Sequence, residues 1–144
     1  MKIEGISRVM TEKNIIFFPT GVSKEQVFRS LIDTFQLPDP NVALKAILDR
    51  ELWGSTVIVP GLALPHARIP GIKQIAAAIG ICSGPVPHIF VLFIGPVDNM
   101  KMHLDFLSSV SAIFQKESLL NAIAQLKTPE LVVSKIREVE KTVS

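Results

Sequence analysis

Three features of this sequence predict an α/β layer protein. Short runs of branched apolar residues alternate with amphipathic stretches at helical spacing. Nearly half of the 144 residues are hydrophobic (48%) and few are aromatic (6%), which suits a core of Val, Ile, Leu and Ala. No internal repeat, low-complexity tract or linker divides the chain, so one domain over residues 1–144 is expected at this length.

The elements follow in order. Asn14–Phe18 reads as a short strand stopped by Pro19-Thr20-Gly21. Ser23 offers a helix cap, with Gln26 at the spacing of a capping box, and Val27, Leu31, Ile32 and Phe35 give a helix over about 24–36. Asp39-Pro40 repeats the start signal for a second helix ending near Leu52, with Gly54 as its stop. Thr56–Val59 and Leu62–Leu64 are extended pieces around the turn dipeptide Pro60-Gly61.

Gln74–Cys82 and His88–Ile94 are read as two buried strands joined by a turn over Ser83–Pro87. Residues 74–97 hold no Lys, Arg, Asp or Glu, long enough for a membrane span, but Gly80, Gly84, Pro85, Pro87, Gly95 and Pro96 interrupt them. No membrane insertion is expected. Asp98 or Asn99 caps a helix over about 100–114, Ser118–Leu126 forms another, and Thr128-Pro129 begins the last, through about Val139.

Fifteen basic and thirteen acidic residues leave a net charge of +2, too small and scattered to point to nucleic acid. Cys82 is the single cysteine, so an intramolecular disulfide is excluded, and its apolar neighbours mark it as a small buried hydrophobe. No basic segment followed by an apolar run opens the chain, so no secretory signal is read and the cytoplasm is the expected compartment.

The chemistry centres on Gly61-Leu62-Ala63-Leu64-Pro65-His66-Ala67-Arg68. Phosphoryl transfer through histidine needs a neutral imidazole aimed in line, with positive or hydrogen-bonding groups for the phosphoryl oxygens. Pro65 stiffens the approach to His66, and Arg68 reaches the same side of an extended chain. A lone histidine in an apolar setting is more often structural. The neighbours change that balance: His103 opens a helix whose N-terminus favours an anion, and Arg50-Glu51 ends another helix close to the same loop.

Other chemistries fit less well. His66, His88 and His103 lack metal-ligand spacing, and His88 is read as structural at a strand start. Cys82 lies in an apolar strand, which disfavours a Cys–His nucleophile, and Ser55 lacks the setting of a nucleophile elbow. No phosphate-binding glycine loop is present. Neither a metal nor an organic cofactor is expected.

Asp49-Arg50-Glu51, Gly54-Ser55-Thr56 and Gly61–Arg68, followed by His103-Leu104 with Leu107 and Ser108, resemble the enzyme IIA domain of the bacterial phosphoenolpyruvate-dependent phosphotransferase system, mannitol/fructose/nitrogen-regulatory type. The likeness runs from about Glu12 to Glu140. It implies a single domain of mannitol-type IIA architecture, a mixed β-sheet flanked by α-helices. It implies that His66 takes phosphate from the phosphocarrier HPr and passes it to a IIB domain. His103 matches the second active-site histidine and Arg50 the arginine near it, with Arg68, Ser55 and Thr56 as phosphate support. Val57, Val59 and Pro60 stand where the family commonly has glycines and a polar residue, which makes this loop stiffer and less polar.

Two readings of function follow. One is a sugar phosphotransferase relay. The other is a regulatory phosphoprotein whose His66 phosphorylation state controls protein binding, since a phosphate adds nearly two negative charges to an apolar rim. The apolar content also allows a homodimer.

Overall fold

The computed structural model describes residues 5–84 and 88–142. A six-stranded mixed sheet carries helices on both faces. Its strands are β1 (Ile15–Phe18), β2 (Val57–Val59), β3 (Leu62–Ala63), β4 (His66–Ile69), β5 (Ala76–Cys82) and β6 (His88–Pro96). The helices are α1 (Lys24–Asp33), α2 (Pro40–Leu52), α3 (Met100–Phe114), α4 (Glu117–Gln125) and α5 (Pro129–Thr142).

Helix starts lie where side-chain acceptors stand in the sequence. Ser23 and Gln26 form a reciprocal capping box, Asp39 accepts from the Asn41 N–H with Pro40 at the first helical position, and Asn99 accepts from the Met102 N–H. Of the two residues anticipated as the third cap, Asn99 fills the role. Two short 3-10 turns, Ile6–Arg8 and Glu12–Asn14, precede β1 and were not anticipated.

β1 runs parallel to β5, β5 antiparallel to β6, and β3 antiparallel to β2. β3 and β4 both lie parallel to β6, pairing with its first and last parts in turn. The break between them falls at Leu64-Pro65, because proline has no N–H to donate to a ladder. The Phe93 N–H donates to the Pro65 carbonyl and the Leu64 N–H to the Thr56 carbonyl, so the interruption stays hydrogen-bonded. β6 reaches Pro96, two residues beyond expectation, because β4 supplies a partner for its last residues. The Val57–Pro60 segment is a strand and its turn, with Gly61 at φ +85°, a conformation that favours glycine.

The sheet separates two apolar clusters. Ile79, Val91, Phe93 and Ile89 pack with Phe106, Val110 and Ile136 on one face; Ala78, Leu92 and Ile94 pack with Leu31, Ile32 and Ile47 on the other. β5 and β6 are buried on both faces, which explains their unbroken apolar sequence. Cys82 is only half-buried, a correction to the fully buried expectation, because it is the last residue of β5, opposite the exposed His88. The proposed turn at Ser83–Pro87 lies partly outside the described residues. Among the described residues no helix is long and apolar enough to cross a membrane.

Candidate phosphoryl-transfer site

His66 is the first residue of β4, directly after the ladder break. Its Nδ1 lies 2.6 Å from the Leu64 carbonyl oxygen. A carbonyl only accepts, so Nδ1 carries the proton, and the lone pair resides on Nε2. The Pro65 interruption thus does chemical work: the carbonyl beside it fixes the tautomer of the ring that follows.

His103, in the first turns of α3, is 5% exposed. Its ring centroid lies 5.4 Å from that of His66. The Phe93 ring completes a near-equilateral triangle, 5.2 Å from His66 and 5.0 Å from His103. Nδ1 of His103 is buried and has no hydrogen-bond partner. A buried unpartnered acceptor is tolerated better than a buried unpartnered N–H, so the His103 proton belongs on Nε2.

Both rings are held neutral. Burial lowers the His66 pKa, opposed by the Leu64 carbonyl; Arg50 lowers it further and Glu51 raises it. His103 is lowered to about 4 by burial, with His66 and Arg68 adding repulsion. A neutral His66 is the nucleophilic form.

The sequence-selected residues divide into two groups. His66, His103, Arg50 and Arg68 converge: Arg50 acts on His66, and Arg68 on His103. The Arg50 guanidinium donates to the Gly54 carbonyl at 3.4 Å, and Arg68 donates to the Val97 carbonyl at 3.1 Å. The Ser55 and Thr56 hydroxyls bond neighbouring groups of β2 and α2. Ser55 Oγ accepts from the Val57 N–H, while the buried Thr56 donates to the Glu51 carboxylate at 2.7 Å. Glu51 also pairs with Lys24 at 3.4 Å.

Phe93 and Gly95 lie against the two histidines, a proximity that the sequence alone does not reveal. Period-two alternation in β6 puts them on one face, but only the β4–β6 register sets them opposite His66 and Arg68. Among the described residues no group of three or more His, Cys, Asp or Glu is placed to hold a metal. A cavity of about 860 Å³ lies elsewhere, between Thr20, Lys24, Leu62 and Phe90, and contains neither histidine of the pair. The exposed apolar residues Leu52, Trp53 and Val57 follow Arg50, and Val97, Met100 and Leu104 surround the start of α3.

The profile of a family described as "Phosphoenolpyruvate-dependent sugar phosphotransferase system, EIIA 2" matches residues 8–139. The chain is 23% identical over 149 residues to a "PTS system fructose-specific EIIABC component" of Bacillus subtilis, covering 94% of this chain and 24% of that protein. It therefore spans about a quarter of that relative. Nitrogen regulatory protein IIA-Ntr from Neisseria meningitidis shares the fold, with a TM-score of 0.74 at 21% identity over 91% of this chain and 98% of that one. So does the mannitol IIA enzyme of Escherichia coli, solved in complex with phosphorylated IIB: TM-score 0.64 at 15% identity, covering 92% and 97%.

Proposed function

This chain belongs to the phosphoenolpyruvate-dependent sugar phosphotransferase system EIIA 2 family, and from that premise we propose that it relays a phosphoryl group through His66. The observation that carries the reading is the Nδ1–Leu64 contact of 2.6 Å, which leaves Nε2 as the free nucleophilic nitrogen. His66 Nε2 attacks the phosphorus of a phosphohistidine on an HPr-like carrier. The new P–N bond forms as the carrier's P–N bond breaks, and the carrier histidine leaves as neutral imidazole.

The phosphorylated His66 ring bears positive charge, because Nδ1 keeps its proton. The Leu64 carbonyl stabilises that charge, and Arg50 and the His103 Nε2–H meet the phosphoryl oxygens. Arg68 adds positive potential beside His103. The reverse geometry delivers the group to a IIB domain, the kind of partner seen with the mannitol enzyme. Transfer between two proteins needs a shallow approach, and the apolar residues flanking Arg50 and His103 suit transient docking. No metal or cofactor enters the step. Residues 1–144 act as one IIA-like domain, in the cytoplasm where the carrier is found.

The regulatory reading is supported by the likeness to IIA-Ntr and uses the same phosphorylated His66. The two diverge after phosphorylation: a relay discharges to IIB, whereas a regulator holds the phosphate and changes its partner. The test is discharge. Phosphorylated protein mixed with the fructose-type and mannitol-type IIB domains should lose its phosphate within seconds to one of them. Persistence with every IIB, alongside normal charging by HPr, sinks the relay reading in favour of regulation.

A further inference from the structure

We propose that Phe93 and Gly95 of β6 are positioning residues for phosphoryl transfer: the Phe93 ring sets the plane of the His66 imidazole, and the bare Cα of Gly95 seats His103. This rests on the proposed transfer through His66 and adds what aims the two rings.

The torsion that turns an imidazole about its Cβ–Cγ bond is broad, so the side chain alone does not define the ring plane. One hydrogen bond from Nδ1 restrains an edge and leaves the ring free to tilt about it. The Phe93 ring removes that freedom. It lies 11° from parallel to His66 across directly paired β4 and β6 residues, and Phe106 backs it at 4.9 Å. Phe93 is fully buried, so the platform itself has no room to turn.

His103 has no polar anchor at Nδ1, so packing alone orients it. Two surfaces do so. One is the Phe93 face at 5.0 Å; the other is Gly95, where an added Cβ would stand 2.7 Å from Nδ1. Real side chains do not approach that closely, and any side chain at residue 95 would lift the ring off the strand. Phe93 and Gly95 thus define the spacing of the two histidines from beneath. The charged and titratable groups acting on the rings come from other elements: Arg50 and Glu51 from α2 and Arg68 from β4.

The test compares Phe93→Leu and Gly95→Ala with Val91→Ala, a control on the same face of β6 that is equally buried. Imidazole ¹⁵N NMR reads tautomer and titration midpoint in the unphosphorylated protein; charging by phosphorylated HPr reads kcat and KM. Phe93→Leu should leave the Nδ1–H tautomer of His66 in place, because the Leu64 carbonyl remains, raise its midpoint toward 6.5 and cut kcat about tenfold or more, with KM within about twofold. Gly95→Ala should shift the His103 resonances and slow kcat while leaving the His66 tautomer intact. Val91→Ala should lower stability and change neither readout. The inference is overturned if Phe93→Leu keeps the wild-type midpoint and kcat, or if Val91→Ala reproduces its effects. Failure of the wild-type protein to accept phosphate would instead remove the transfer reading, and the NMR comparison would still decide what holds the rings.

Discussion

His66 and Phe93 are register partners across β4 and β6, and their rings stack with 5.2 Å between centroids. The stack covers one face of the imidazole with hydrocarbon, while Nδ1 on its edge is held by Leu64. One nitrogen and one face remain for chemistry. Backbone register in a parallel strand pair thereby sets which face of the ring is covered, and the local Leu64 carbonyl sets its tautomer.

Burial lowers the His66 pKa, so protonation removes the nucleophile only at acid pH. Charging by HPr should be flat through neutrality and fall as pH drops through a midpoint below 6.5. Single-turnover rates across pH check this. A midpoint above 6.5 contradicts it.

Removing the Arg50 charge should move that midpoint. Arg50 disfavours the His66 imidazolium, so Arg50→Gln should raise the His66 pKa and also slow charging on the order of tenfold by losing a group beside the phosphoryl oxygens. Arg50→Lys should preserve more of the midpoint than of the rate, since an ammonium supplies charge without the guanidinium fork. NMR titration and single-turnover kinetics separate the two effects.

His103 makes folding itself pH-dependent. Its folded pKa of about 4 lies below the ordinary 6.5 of the unfolded chain. The unfolded state therefore binds more protons between those values, and stability falls as pH drops from about 6.5 toward 4. The loss is on the order of a few kcal/mol or less. Urea titrations should show this slope in the wild type and much less of it in His103→Gln.

Thr56→Val tests whether that hydroxyl serves the fold or the phosphate. The buried Thr56 donates to Glu51 at 2.7 Å, so the variant should lose about 1–2 kcal/mol and still charge at close to the wild-type rate. Denaturation and charging assays on one preparation decide it; a large loss of rate at normal stability would return Thr56 to the phosphate.

Much of this was legible in the sequence, for local reasons. Ser23, Asp39 and Asn99 announce helix starts because capping is settled within four residues. His66, His103, Arg50 and Arg68 stand out by residue type beside helix ends and a proline. What stayed hidden depends on long-range register. Phe93 reads as one more apolar residue of a buried strand until β4 is laid against β6. Which groups Ser55 and Thr56 bond, the Val57 N–H of β2 and the Glu51 carboxylate of α2, is also set only by the folded turn. The half-exposure of Cys82 likewise follows from where β5 ends, which its apolar neighbours do not reveal.

In the proposed relay, phosphate forms on Nε2 of His66. Charging uniformly ¹⁵N-histidine-labelled protein with phosphoenolpyruvate, enzyme I and HPr, then recording ³¹P and long-range ¹H–¹⁵N spectra, reads which nitrogen carries it. One phosphoryl group should couple to His66 Nε2, with Nδ1 still protonated and no signal in His66→Ala. Phosphate on Nδ1, on His103, or on no histidine would contradict it.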